Sequence, residues 1–329
     1  MQTLVLGSSG FLGVHVVGSL VGRGLSPRCG RRARSNGLAL RRLVGRRDRV
    51  LADLDDPASL RAAMEGVEVV FHCAGHYPTR SADAETTLVT GRQHIDTVCD
   101  VAAEQGVRRL VYLSSTGSVA PGNGMSTEDD TFAERPTQSL YHALKWEMEA
   151  RVLAEDRFET SIACPGACLG PWDLRVGTSA LLVAAARGID VPHPDGWIGV
   201  VDARDVGEAM VRMAERPEPI SRLLLVGHNR RLQALLQELS QRYGTPPPSA
   251  PLSPQRAIAV ANAAESAPGR PAISRAIVDL IVHGVPVDNR RSRELLPIHY
   301  RPLAATLDDW DAWAGRLGII PNEPERVPA

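Results

Sequence analysis

Short apolar runs alternate with longer stretches of helical periodicity along the first half of the chain. Residues 67–73 (VEVVFHC) form a continuous apolar run, which is typical of a strand covered on both faces of a sheet. The predicted strands are 3–6, 49–52, 67–73, 109–114 and 160–164, and the predicted helices are about 11–23, 57–65, 84–105 and 141–155. This alternation predicts an α/β fold with a right-handed, doubly wound parallel sheet.

The remaining pattern is less regular. Residues 25–34 contain both Pro and Gly, which suit a strand interior poorly, so a second strand is placed there because the strand–helix order requires one. The later predicted elements are a loop at 122–139, a strand at 199–201, a helix at 205–215, a strand at 222–226, a proline-rich link at 245–254, a helix near 307–317 and a loose tail at 321–329. From Asn229 onward the pattern is one of short helices.

Composition narrows the class of protein. The chain has 329 residues, of which 43% are hydrophobic and 23% charged, and its net charge is -1. These values are typical of a globular protein and give no support for a nucleic-acid or membrane partner. No apolar run approaches the roughly 18 residues that a bilayer-spanning helix needs. The N-terminus lacks the features of a secretory signal, and the five cysteines lack metal-like spacing, so we expect a cytoplasmic protein with reduced thiols and no metal site.

A glycine-rich turn follows the first predicted strand and opens the first predicted helix. Its sequence is Gly7-Ser8-Ser9-Gly10-Phe11-Leu12-Gly13. Gly7 suits the tight turn, Gly10 admits a pyrophosphate close to the backbone, and Gly13 lets the helix approach the sheet. The free N–H groups at the helix start would then face the phosphates. We therefore expect Gly7, Ser9, Gly10, Phe11, Leu12 and Gly13 to contact a dinucleotide.

Positive charge after the second strand bears on the choice of cofactor. An NAD site usually has an acidic residue there, whereas this chain has Arg31, Arg32 and Arg34. The arginines favour NADP(H), with NAD(H) as the alternative, although an arginine-rich solvated surface would give the same pattern. After the third strand, Asp53 could meet the adenine amino group or could be an exposed turn residue.

Tyr141 and Lys145 are the candidate proton-transfer pair. They lie four residues apart, on one face of the predicted helix, and Lys145 is the only lysine in the chain. A nearby ammonium favours the phenolate form of a tyrosine and so lowers its pKa from about 10. Tyr141 could then pass a proton to an alkoxide as hydride reaches the carbon atom. Hydroxyl groups of Ser114-Ser115-Thr116, at the end of the fifth strand, could stabilise charge on the substrate oxygen.

Several segments together resemble the extended short-chain dehydrogenase/reductases, and most closely their dihydroflavonol-reductase and 3β-hydroxysteroid-dehydrogenase-like branch. The matching segments are GSSGFLG (7–13), ADLDDPASL (52–60), VVFHCAG (69–75), GVRRLVYLSST (106–116), YHALK (141–145), PGACLGP (165–171), VVDARDVGEAM (200–210) and DNRRSRELL (288–296). The resemblance implies a Rossmann domain at 1–165 and 200–228. It also implies a smaller, substrate-binding cap at 166–199 and 229–320.

The same resemblance assigns expected roles to residues. It implies catalytic roles for Tyr141, Lys145 and either Ser115 or Thr116, of which we favour Thr116. It also implies that Arg32 contacts the cofactor's 2′-phosphate. The remaining expected cofactor contacts are Asp53, Leu54, Ala74, Gly75, Tyr141, Lys145 and Pro165.

Two positions depart from the family pattern. An Asn common on the helix before the fifth strand corresponds to Gly91 here, and the Asn that sugar-nucleotide enzymes place before the Gly-Pro turn corresponds to Ala167. The second change favours a less polar carbonyl compound over a nucleotide sugar.

The sequence therefore predicts an NADP(H)-dependent oxidoreductase that acts on a small, fairly apolar carbonyl or alcohol, as a monomer or homodimer. Two alternatives are a nucleotide-sugar epimerase or dehydratase with transient cofactor oxidation, and a non-catalytic NADP(H)-binding regulator.

Overall fold

The computed structural model describes residues 1–75, 84–267 and 273–320. Its strands are β1 (Thr3–Leu6), β2 (Arg28–Arg31), β3 (Arg49–Leu51), β4 (Val69–His72), β5 (Arg109–Leu113), β6 (Glu159–Pro165), β7 (Ala167–Leu169), β8 (Trp197–Asp202), β9 (Arg222–Leu225) and β10 (His228–Arg231). Its helices are α1 (Phe11–Gly22), α2 (Pro57–Met64), α3 (Ala84–Glu104), α4 (Leu140–Leu153), α5 (Ala180–Ala186), α6 (Ala203–Glu215), α7 (Leu232–Tyr243), α8 (Pro254–Ser266), α9 (Arg275–Val282), α10 (Arg290–Leu295) and α11 (Leu303–Arg316). The predicted tail at 321–329 lies outside the described residues.

Seven strands form one parallel sheet in the order β3-β2-β1-β4-β5-β6-β9. The strand order reverses between β1 and β4, which is where open α/β sheets bind ligands beyond the carboxyl ends of their strands. The doubly wound parallel sheet predicted from strand–helix alternation, and the Rossmann type implied by the family resemblance, are confirmed.

The sheet is covered on both faces, as its apolar strands predict. Leu4 and Leu6 pack with α2, α3 and α4 on one face, and Val5 packs with α1 and α6 on the other. On the second face α1 and α6 pack so closely that a Cβ on Gly207 would lie 2.6 Å from the His15 carbonyl oxygen. Close helix packing therefore needs glycine at this position.

The second strand lies at Arg28–Arg31, inside the region where local propensity was poor. Its Gly30 is a packing requirement, since a Cβ there would lie 3.0 Å from the Ala52 Cβ and 3.3 Å from Leu4 Cδ1. Strand order was thus a better guide than strand propensity at this point.

A smaller sheet has the order β10-β8-β7, with β7 parallel and β10 antiparallel to β8. It packs with α5, α7 and α11 around a third apolar cluster that includes the buried Trp310. The sequence did not predict β7 and β10, because β7 has only three residues and β10 (HNRR) is polar. The predicted boundary between cap and Rossmann domain at residue 200 falls inside β8, which belongs to the smaller sheet. The next elements belong to the main sheet, since α6 packs on it and β9 is one of its strands. The division at residue 200 stays a prediction.

Two aspartates join the start of α6 to the C-terminal segment. Asp202 accepts hydrogen bonds from Arg204 N at 2.8 Å and from the Thr306 hydroxyl at 2.8 Å. Asp205 accepts a bond from Arg301 N at 2.7 Å and pairs with the Arg301 guanidinium. Both carboxylates therefore have a structural role, since they hold the start of α6 to residues 301–306.

Candidate active site

The glycine turn after β1 is shaped by close backbone contacts. Gly7 has φ +72°, a conformation that disfavours side chains, and a Cβ on it would lie 2.6 Å from Ala74 N. A Cβ on Gly13 would lie 2.2 Å from the Gly7 carbonyl oxygen. Both glycines are thus required for the turn to lie between β1, β4 and α1.

Ser8 holds this turn and was not singled out in the sequence. It is fully buried, and its hydroxyl donates to the Gly30 carbonyl oxygen at 2.9 Å, while its backbone N–H donates to the same oxygen at 3.1 Å. The glycine turn is therefore tied to β2. A serine between glycines gave no signal by itself, because the partner becomes a neighbour only when β1 and β2 pair.

The start of α1 fits an anionic cofactor group. Gly10 is its N-cap; within the described chain no side chain caps the helix, and the first turn has no acidic residue. Such a helix start presents N–H groups and the positive end of its dipole to an anion. Ser9, Phe11 and Leu12 lie in this turn, next to the place where Gly7 packs against the Ala74 backbone.

The other predicted cofactor residues lie at the same edge of the sheet. Arg32 directly follows β2 and is exposed, whereas the neighbouring Arg31 turns back to donate to the Arg32 and Ser35 carbonyl oxygens at 3.4 Å each. The other members of this group are Asp53 and Leu54 after β3, Ala74 and Gly75 after β4, and Pro165 at the end of β6. The Asp53 carboxylate accepts the Asp55 N–H at 3.3 Å.

Tyr141 and Lys145 lie in the first two turns of α4, which Ser139 caps by accepting the Tyr141 N–H at 3.1 Å. Both side chains are buried, and Lys145 Nζ lies 5.9 Å from the centre of the Tyr141 ring. Lys145 Nζ also donates to the Leu113 carbonyl oxygen at 3.5 Å, at the end of β5. The predicted pair thus meets the carboxyl edge of the main sheet.

The environment of the Lys145 amine lowers its pKa. Burial lowers the pKa of Lys145 to about 8, while the Glu149 carboxylate acts in the opposite direction. Its ammonium lies 5.6 Å from the centre of the Tyr112 ring. Burial, together with the Lys145 charge, lowers the pKa of His72 to about 3, so that ring is neutral.

Ser115 and Thr116 lie in a short turn between β5 and the loop before α4. Ser115 caps a 3-10 helix at Thr116–Ser118 by accepting the Gly117 N–H at 3.1 Å, and both candidate hydroxyl residues are partly exposed. Next to them, a Cβ on Gly117 would lie 3.1 Å from Tyr141 Cε1 and 3.2 Å from Leu280 Cδ2. Nothing in the sequence indicated that Gly117 lies between Tyr141 and Leu280, since Leu280 comes to this place only through the fold.

Gly91, at the position of the family's Asn, is buried where α3 meets α4. A Cβ there would lie 2.4 Å from Leu144 Cδ1. An asparagine would therefore need Leu144 to move, and this chain uses the position for helix packing.

Comparison with known proteins identifies the family. The model of the NAD dependent epimerase/dehydratase family matches residues 3–227. The chain belongs to this family. It is an NAD(P)-dependent oxidoreductase of the extended short-chain dehydrogenase/reductase type, as the sequence predicted.

Several known proteins are similar to this chain. Sterol demethylase protein B of Methylococcus capsulatus is 29% identical over 97% of this chain and 100% of its own length. Cinnamoyl-CoA reductase 1 of Oryza sativa subsp. japonica is 34% identical over 73% of this chain and 76% of its own length. The solved structure of gox2253 has a TM-score of 0.82 and 25% identity, covering 97% of this chain and 99% of that one.

Two further findings concern metal binding and membrane-spanning helices. The described residues contain no group of three or more His, Cys, Asp and Glu side chains placed to hold a metal ion. Among the helices of the described chain, none is both long enough and apolar enough to span a bilayer.

The two candidate hydroxyls can be separated by mutation. We expect Thr116→Val to lower kcat about 100-fold, because loss of one donor to a developing oxyanion has an effect of this order. Ser115→Ala should leave kcat within a few-fold and cost about 1 kcal/mol of stability through the lost cap. Steady-state kinetics and urea unfolding of both variants measure these effects, and the reverse kinetic pattern would transfer the role to Ser115.

Proposed function

We propose that this chain is an NADP(H)-dependent carbonyl reductase or alcohol dehydrogenase, with Tyr141 as general acid and base. The arrangement of Tyr141 and Lys145 carries the proposal: a buried amine lies 5.9 Å from the centre of a phenol ring, at the carboxyl edge of a dinucleotide-binding sheet. A merely cofactor-binding regulator has no need of such a pair.

The chain's residues divide the proposed work. The cofactor supplies or accepts hydride when it is bound. The turn from Gly7 to Gly13 holds its diphosphate, and Lys145 holds its nicotinamide ribose. In the reductive direction Tyr141 passes its hydroxyl proton to the substrate oxygen, and the Lys145 charge stabilises the phenolate that remains. Thr116 donates a hydrogen bond to the same oxygen.

A fairly apolar substrate is supported by the position before the Gly-Pro turn and by the relatives. Ala167 offers no side-chain amide there for a diphosphate, and it lies in β7, paired with Val200. The relatives named for sterol and dihydroflavonol substrates are 28–29% identical to this chain. The likeness to sugar epimerases rests on structures of at most 23% identity, which speaks only for the fold.

A substrate panel tests the proposal. NADPH oxidation would be followed with a simple ketone, an aldehyde, a dihydroflavonol, cinnamoyl-CoA and a 3-ketosteroid, and NADP⁺ reduction with a 3β-hydroxysteroid. We expect stoichiometric cofactor conversion with at least one apolar compound. Epimerisation of UDP-glucose without net cofactor conversion would contradict the proposal and support the epimerase alternative.

Arg32 should determine the preference for NADPH over NADH. We expect Arg32→Ser to weaken NADPH binding about 10- to 100-fold and to leave NADH binding nearly unchanged, because a charge-assisted contact to the 2′-phosphate is worth about 1.5–3 kcal/mol. Fluorescence titration with both cofactors measures the change. Arg47→Ser is a matched control, since Arg47 is also exposed and lies later in the same connection. Equal weakening of NADH and NADPH would contradict the assignment.

A further inference from the structure

Glu149 is a buried carboxylate on the same helix as the proposed proton-transfer pair. It lies one helical turn beyond Lys145 and two turns beyond Tyr141, and its residue is 2% exposed. Burial of a carboxylate is costly unless donors or a cation compensate it. Its partners therefore indicate what it does.

Two of its partners bracket the turn that carries the candidate hydroxyls. The Ser114 and Ser118 hydroxyls both donate to Glu149 Oε1. Ser115 and Thr116 lie between these two serines, so one carboxylate oxygen holds both ends of the turn. A shift of α4 against this turn would change where the hydroxyls stand relative to Tyr141.

The other carboxylate oxygen pairs with an arginine from a distant part of the chain. Arg222, on β9, donates to Glu149 Oε2 at 2.8 Å. Arg222 also contacts the Glu128 carbonyl oxygen at 3.4 Å, while Glu128 Oε1 accepts the Leu224 N–H at 3.0 Å. Arg291 lies 4.0 Å from the Glu128 carboxylate.

The Lys145 amine donates to the Leu113 carbonyl oxygen and is faced by side chains from several elements, with Arg222 of β9 beyond Glu149. The groups facing it are Tyr141 and Glu149 on α4, Tyr112 on β5, His72 on β4 and Cys164 on β6. His72 is neutral, and burial raises the pKa of the Cys164 thiol well above its usual value, so the thiol is also neutral. Cys164 Sγ donates to Glu149 Oε1 at 3.4 Å. Glu149 is thus the nearby anion among these groups, and it raises the pKa of Lys145 against the effect of burial.

We propose that Glu149 is a positioning residue of the active site: its carboxylate fixes the turn that carries Ser115 and Thr116 and keeps the Lys145 amine in its ammonium form. This inference rests on the proposed function, in which Lys145 supports proton transfer by Tyr141. Glu149 itself does not touch the reacting atoms, because it acts through Lys145, Ser114 and Ser118.

The single lysine allows a direct test that needs no substrate. Protein grown with lysine isotope-labelled at its ε-carbon carries that label only at Lys145, so an NMR titration reports the pKa of this amine alone. We expect Glu149→Gln to lower the Lys145 pKa by about one unit, since an opposite charge is lost close by. The alkaline limb of the pH profile of kcat should move to lower pH by a similar amount.

Matched variants separate this role from a purely structural one. Glu155→Gln removes another buried carboxylate near the end of α4, which pairs with Arg151 and Arg157, and it should leave the Lys145 pKa unchanged. Glu149→Asp keeps the charge on a shorter side chain, so the Lys145 pKa should return close to the wild-type value while kcat stays reduced. An unchanged Lys145 pKa in Glu149→Gln, or an equal shift in Glu155→Gln, would overturn the proposal.

A further variant keeps the test decisive if Glu149→Gln does not fold. Arg222→Gln leaves the Glu149 charge without its guanidinium partner and should raise the Lys145 pKa; no change there would overturn the proposal. The two proposals can fail separately. If the Lys145 titrations come out as expected but neither the wild type nor any variant turns over a carbonyl compound, the Glu149 assignment is supported and the proposed reaction is contradicted.

Discussion

Tyr141→Phe should lower kcat for carbonyl reduction by about 10²- to 10⁴-fold, the range in which a positioned general acid contributes. The substitution removes one hydroxyl from a buried ring and leaves the packing of that ring beside Gly117 in place. NADPH binding should therefore stay within a few-fold of the wild-type value. Stopped-flow kinetics and a fluorescence titration of the cofactor measure the two effects separately.

Tyr243→Phe is the matched control for this result. Its hydroxyl donates to Asp311 at 2.6 Å, between α7 and α11 and away from the sheet edge. It should leave kcat unchanged, although it loses a hydrogen bond worth about 1 kcal/mol of stability. Full turnover by Tyr141→Phe would remove the proposed proton donor.

Lys145→Met should make the cofactor-free protein more stable near pH 7, by about 3 kcal/mol, because each unit by which burial lowers the Lys145 pKa corresponds to about 1.4 kcal/mol. Burial lowers the Lys145 pKa from 10.5 to about 8, so the folded protein holds a charge that the unfolded chain solvates better. At pH values below about 8 the ammonium is present in both states, and the whole difference opposes folding. Between about 8 and 10.5 the folded state loses its proton first, so the disadvantage of the wild type shrinks.

Urea unfolding of both proteins across this pH range tests the sign and the window. We expect the stability gap between Lys145→Met and the wild type to close as the pH rises above 8 and to be nearly gone by 10.5. Lys145→Arg is the control, because arginine keeps its charge throughout this range and should lose stability relative to the wild type as the pH rises. A gap that does not depend on pH would show that packing, and not the buried charge, causes it. Activity should be lost in Lys145→Met despite the gain in stability, as is common where an active site holds an unfavourable charge.

Strand order and short-range spacing account for the features that could be predicted from the sequence alone. Gly7, Gly10 and Gly13 stand within one turn and the helix it opens, and Tyr141 and Lys145 share one helix face, so chain geometry brings each set together before any tertiary contact forms. The order of apolar runs then gave the doubly wound sheet, including β2, whose own residues favour a strand poorly. The same spacing of four residues from Lys145 could have drawn attention to Glu149.

Other features depended on residues distant in sequence. β7 and β10 are short or polar and form strands only beside β8. Leu280, on α9, and the Tyr141 ring both lie beside Gly117, and the Ser8 hydroxyl finds its acceptor at Gly30. None of these pairings has a local signal, because each partner is supplied by a different element.

The sequence by itself determined the family, the Rossmann-type sheet and the residues at the edge where its strands end, since these follow from periodicity and from motifs that span a few residues. Only the tertiary structure decided how Lys145 is buried and which groups compensate its charge. The physical reason is that the pKa of a buried amine depends on the water excluded from it and on charges brought near by folding, such as Glu149 and its partner Arg222. Neither quantity can be derived from the four-residue spacing that first identified the pair.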